Sequence, residues 1–139
     1  MRIVLLGMCL LICACGRESL PPLVAADLEV TAPMPGARMS AGYLELHNNS
    51  DDDMGITRVT SPDFEAVEIH TSLIEDGISK MRRIDVLDIA AGSTAVLQRG
   101  GMHLMLMRPT GSTDVVSLNF YTDDTLLLTV QSTINARKK

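Results

Sequence analysis

The chain has 139 residues, a formal net charge of −5, 46% hydrophobic but only 3% aromatic residues, nine methionines and no tryptophan. That length bounds it to one domain with a single sizeable core. No basic stripe runs through the acidic sequence, which argues against a nucleic-acid partner; the one basic cluster, Arg137-Lys138-Lys139, reads as a solvated tail.

In chain order, the N-terminus comes first. Met1-Arg2 is a short positive region, and Ile3 to Ile12 is an apolar run of ten residues. A membrane span needs about 20 residues, so the run reads as an export signal. Ile12-Cys13-Ala14-Cys15 resembles a bacterial lipobox with Cys15 as acceptor, although Cys13 is an atypical choice at its position. The expected organisation is a signal peptide at 1–14, a lipidated Cys15 with a tether over 15–25, and a folded domain over 26–139. Acyl chains bind membrane at about 0.8 kcal/mol per buried methylene, so such an anchor holds when two or more chains are present. Cys9, Cys13 and Cys15 are the only cysteines. The domain therefore has neither thiol nor disulfide, and is expected to work outside the cytoplasm in the periplasm, anchored only through its lipid.

Beyond the tether no segment has helical periodicity. Short β-type runs recur instead: "LEVTA", "SAGYLELHN", "ITRVT", "AVEIHT", "ISKMRRI", "TAVLQ", "MHLMLM", "VVSLNF" and "LLLTVQS". Turn residues separate them, as in "PMPGA", "NNSDDD", "SPD", "EDG" and "TDD". About eight or nine strands at this spacing predict an all-β domain, a β-sandwich or Greek-key barrel.

Two runs carry unusual chemistry. In "GGMHLMLMRP" one parity holds Met102, Leu104 and Leu106, while the other, where polar residues belong, holds His103, Met105 and Met107. Upstream, Asp76-Gly77 is a strong hairpin signal. With those two residues at the turn centre, Met81 faces Ser72 and His70 faces Arg83. His70 and Met81 then project from one face as diagonal neighbours, about 7–8 Å apart at the backbone. Thioether and neutral imidazole are soft to borderline ligands that favour Cu(I) over Zn²⁺, Mg²⁺ or Ca²⁺. Without a cysteine thiolate, a blue-copper centre is excluded.

The spacing from His70 through ten residues to Met81, through twenty-one to His103, and through one to Met105 is H-x10-M-x21-H-x-M. This resembles the periplasmic copper chaperone family called PCu(A)C. The surrounding text "SPDFEAVEIH", "EDGISKMRRID" and "DIAAGSTAVLQRGGMHLMLM" is similar as well, so the resemblance covers roughly Ala26 to Val130. It implies a cupredoxin-like β-sandwich holding one Cu(I) through His70, Met81, His103 and Met105. It further implies delivery of copper to a haem-copper cytochrome oxidase (its CuA or CuB centre), beside Sco-type thioredoxin-fold proteins. The chain departs from the family after the first histidine, where Thr71, Ser72 and Leu73 stand in place of acidic or methionine residues, and at Met102 and Arg108-Pro109.

The remaining candidates have plainer readings. Met34, Met39, Met54 and Met102 are expected to be gap-filling core residues; Met107 shares the parity of His103 and Met105 two residues further along, and an auxiliary ligand role is the alternative to packing there. His47 is expected to be solvated or capping. Asp51-Asp52-Asp53 lacks the alternating spacing of a calcium loop and is expected to be solvated. No nucleophile–base signature points to an enzyme. Rival readings are a copper buffer or resistance lipoprotein, and a β-sandwich lipoprotein whose methionine patch docks a protein and ignores metal.

Overall fold

The computed structural model describes residues 20–33, 36–111 and 114–135. The expected signal peptide, Cys15, Met34 and the basic C-terminal cluster lie outside the described residues. The described chain forms eleven strands: β1 Leu23–Thr31, β2 Met39–Asn48, β3 Met54–Ile56, β4 Arg58–Thr60, β5 Phe64–Glu75, β6 Ile78–Ile84, β7 Leu87–Ile89, β8 Thr94–Leu97, β9 Met102–Pro109, β10 Val115–Thr122 and β11 Thr125–Asn135. The all-β expectation holds. Residues 23–25, at the end of the expected tether, are already part of β1. The run "ITRVT" splits at Thr57, whose N–H donates to Tyr121 O at 2.9 Å and whose hydroxyl accepts from Asp123 N at 2.7 Å. Those bonds tie Thr57 to the end of β10, freeing β3 to pair with β7 while β4 continues between β10 and β5. A strand of three residues such as β7 is too short for alternation to reveal it.

The pairings run in a ring. From β1 the order is β11, β10, β4, β5, β9 and β2, and β2 pairs back to β1. β1 closes the ring by lying parallel to β11 on one side and antiparallel to β2 on the other. Strict alternation then fills the interior: Leu44 and Leu46 from β2, Val67 and Ile69 from β5, Leu104 and Leu106 from β9, and Val116, Leu118 and Phe120 from β10 are all buried. Each such side chain contributes about 1.5–3 kcal/mol relative to remaining in water. Gly42 sets how closely β2 approaches β9. A Cβ there would lie 3.2 Å from both Leu104 Cβ and Leu106 Cδ1, tighter than ordinary packing allows.

β6 stands outside this ring and, among the described residues, pairs only with β5. Its register is the one predicted from the turn: His70 faces Arg83 and Ser72 faces Met81. Asp76 and Gly77 both have positive φ, 54° and 76°, the backbone that a two-residue turn of the twist-matched type requires.

Candidate metal centre

Four neighbouring strands, in the order β6, β5, β9 and β2, present one outward face. Because side chains alternate across a strand, register fixes who stands beside whom. His70 of β5 faces His103 of β9, and Glu68 faces Met105. On the other flank of β9, Ala41 faces Met105 and Met39 faces Met107. Met81 enters from β6 opposite Ser72, two residues along from His70 on the same face. The four residues singled out by spacing are therefore brought onto one face by three strands. Met81, His103 and Met105 line one cleft of about 310 Å³ together with Met39, Tyr43 and Ser72. His70 is not part of the cleft wall, but its ring centroid lies 6.1 Å from that of His103, the planes tilted by 57°.

Burial grades across the face. His103 is only 6% exposed, whereas Met81 on the outer strand is 58% exposed. Met105 and His70 are half-buried. The wall nearest β9 is thus shielded from water, and the β6 side is open.

Hydrogen bonds leave each imidazole with one nitrogen engaged. Nδ1–H of His103 donates to the carbonyl of Gly101 at 3.0 Å. A carbonyl only accepts, so Nδ1 is assigned the proton and Nε2 keeps a lone pair. Nε2–H of His70 donates to Glu68 Oε2 at 2.8 Å, which by the same reasoning leaves the lone pair on Nδ1. Nδ1 of His70 is buried, and among the described residues it has no hydrogen-bond partner. An orphaned buried acceptor is costly unless something occupies it. Two imidazoles with one nitrogen held by an acceptor and the other free form the arrangement by which proteins orient metal-binding histidines. Two thioethers complete a neutral set suited to a soft monovalent ion. Among the described residues no group of three or more His, Cys, Asp and Glu is gathered as a harder cation would require.

Glu68 also accepts from Arg83 Nη1 at 3.0 Å. Its carboxyl is held below the ordinary carboxylate range, chiefly by the hydrogen bond from His70 and further by the positive charge of Arg83, against the opposing effect of burial. Glu68 and the Gly101 carbonyl are the functional groups that spacing alone does not reveal. Glu68 was recoverable in principle, because it shares strand parity with His70.

Several expectations on the other methionines and histidine resolve here. Met54 and Met102 pack against the core as expected. Met39 does not: it is 50% exposed and lines the cleft, while its neighbour Ser40 is buried. The correction follows from register, since Ser40 faces the buried Leu106 and so takes the inward parity. His47 bonds the Thr94 hydroxyl through Nδ1 at 2.7 Å. Asp51, Asp52 and Asp53 are exposed, as expected of a solvated loop.

Comparison with solved structures matches this architecture. The copper-bound PCuAC domain from PmoF2 is similar over 84% of this chain and 94% of that one, with a TM-score of 0.68 at 18% identity. The apo PCuAC domain from PmoF1 gives a TM-score of 0.64 at 18% identity, over 84% and 95% of the two chains. The solution structure of CuI-DR1885 from Deinococcus radiodurans gives 0.66 at 28% identity, over 86% and 82%. The cupredoxin-like fold and the resemblance to PCu(A)C domains are thereby met. No curated protein sequence matches the chain. A family model for LpqE-like lipoproteins matches residues 23–133, nearly the whole described fold, and the chain belongs to the LpqE-like family.

Proposed function

We propose that this chain is a copper chaperone of the periplasm, anchored to a membrane through Cys15, that carries one Cu(I) on His70, Met81, His103 and Met105. The observation that carries the reading is the pair of facing imidazoles, each with one nitrogen held by an acceptor and the other free, beside a cleft lined by the thioethers of Met39, Met81 and Met105. Similarity to a CuI-bound protein and to a copper-bound PCuAC domain supports it. Membership of a lipoprotein family supports the anchor.

The residues divide the work. His103, backed by a main-chain carbonyl, and His70, backed by Glu68, each keep one ring nitrogen for the ion. Met105 contributes a sulfur from the same strand as His103. Met81 is the exposed ligand and the first that an incoming donor from a partner displaces. Exchange of neutral ligands moves the ion without creating a buried charge, and no thiolate binds so tightly that release is blocked. The recipient in this reading is a haem-copper cytochrome oxidase subunit, with a Sco-type protein as co-worker. No catalytic step belongs to it.

The test is an anaerobic Cu(I) titration of the full-length chain in a mild detergent against a chromogenic Cu(I) chelator, beside His103→Ala and Met81→Ala. One tight equivalent, weakened in both variants, supports the site; failure to compete with the chelator overturns it. Deleting the gene then separates delivery from storage. An oxidase defect supports a chaperone, whereas copper sensitivity with normal oxidase supports a buffer.

A further inference from the structure

We infer that Met39, Met105 and Met107 form a second, all-thioether position for Cu(I), outboard of the histidine-containing site and sharing Met105 with it. The inference rests on the copper reading above. Its first support is the start of β2, where register turns Ser40 inward and Met39 outward. The buried Ser40 hydroxyl oxygen has no hydrogen-bond partner among the described residues, while Met39 is half exposed. Register therefore leaves the Met39 thioether on the cleft wall, outside the core. Met54 and Met102, by contrast, rest on the core.

Register supplies the second support. Met39 faces Met107 across β2 and β9, a pairing that sets Cβ atoms about 4.5–5.5 Å apart. Met105 lies two residues before Met107 on the same face, roughly 7 Å along the strand. Ala41 flanks Met105 on β2 and Ala66 flanks Met107 on β5, while Glu68 stands on the β5 side of Met105. On the β2 side the register sets only the small Ala41 beside the three flexible thioethers, each with enough rotatable bonds to converge on one ion. A neutral three-sulfur set selects a soft monovalent cation and rejects Zn²⁺ and Mg²⁺. With Met105 common to both positions, an ion can step between them without leaving the protein.

The experiment uses full-length chain in non-ionic detergent, labelled with ¹³C at the methionine methyls and titrated anaerobically with the acetonitrile complex of Cu(I). The first equivalent should shift the Met81 and Met105 methyls. The second should shift Met39 and Met107, move Met105 again, and leave Met54 and Met102 in place. In Met39→Leu/Met107→Leu, a volume-conserving pair, the second dissociation constant should rise at least tenfold while the first equivalent still binds. Unmoved Met39 and Met107 methyls after the first equivalent has bound would overturn the second position and leave the copper reading standing. A second equivalent that shifts Met54 and Met102 equally would overturn it too. No uptake of the first equivalent would overturn both.

Discussion

Replacing Glu68 by glutamine tests the site through a residue that is not itself a proposed ligand. The carboxylate accepts from His70 Nε2 at 2.8 Å and from Arg83 Nη1 at 3.0 Å, and its side chain is 27% exposed. Hydrogen bonds to a charged group contribute about 1.5–3 kcal/mol and neutral ones about 0.5–1.5 kcal/mol. The exchange therefore removes about 1–1.5 kcal/mol of orientation from the imidazole. A glutamine amide can also rotate to offer N–H to His70 Nε2, which would place the ring proton on Nδ1, the nitrogen left free in the native arrangement. At about 1.4 kcal/mol per tenfold, Glu68→Gln should bind Cu(I) about tenfold more weakly, at the low end of the 10–100-fold range for residues that orient metal-bound histidines. Competition against a chelator reads this directly. Glu65→Gln serves as control, because Glu65 lies on the opposite parity of β5 and pairs with Arg108. Glu68→Gln within twofold of wild type, while His70→Ala loses the equivalent, would refute the claim that this carboxylate fixes the tautomer.

Other outcomes follow from the same coordinates. Gly42→Val should destabilise by about 2–3 kcal/mol in urea unfolding, because the added methyls meet Leu104 and Leu106 in a filled core. Leu104→Ala should remove about 2–5 kcal/mol, since Leu104 is fully buried between His103 and Met105, and should weaken Cu(I) binding with it. Gly77→Ala, at φ 76°, should destabilise the hairpin by about 1 kcal/mol and shift the amide resonances of β6 more than those of β9. The depressed Glu68 carboxyl gives stability that is in place above the unfolded-chain value near 4.3 and lost as pH falls through the lower folded value. The stability advantage of wild type over Glu68→Gln should accordingly be measurable at about pH 6 and shrink as pH falls below the unfolded-chain value.

How much of this was legible depends on whether the determinant is local. Asp76-Gly77 dictates its own turn, so the register of Met81 against Ser72 follows from a dipeptide, and parity then places His70 with it. Alternation on β9 likewise separates His103 and Met105 from Leu104 and Leu106. The facing of His70 and His103 is different, because it requires β5 and β9 to pair across more than thirty intervening residues, and no local pattern encodes that. Ring closure by β1, parallel to β11, is equally non-local. Methionine in a β-domain is expected to fill gaps in the core, but at Met39 the pairing of Ser40 with Leu106 decides otherwise. The Gly101 carbonyl that fixes His103 comes from backbone conformation, on which side-chain identity is silent.

One consequence remains in the way β6 is attached. Three of the four proposed ligands sit on strands flanked on both sides, but Met81 rides on a strand hydrogen-bonded, among the described residues, to β5 alone. Opening of that strand is the least expensive excursion this part of the fold can make, and it removes a single donor while His70, His103 and Met105 keep their places. Occupancy of the metal site and closure of the hairpin are then one linked equilibrium. If the proposed site holds the ion, amide exchange along residues 78–84 should slow when Cu(I) is added and quicken when a chelator removes it.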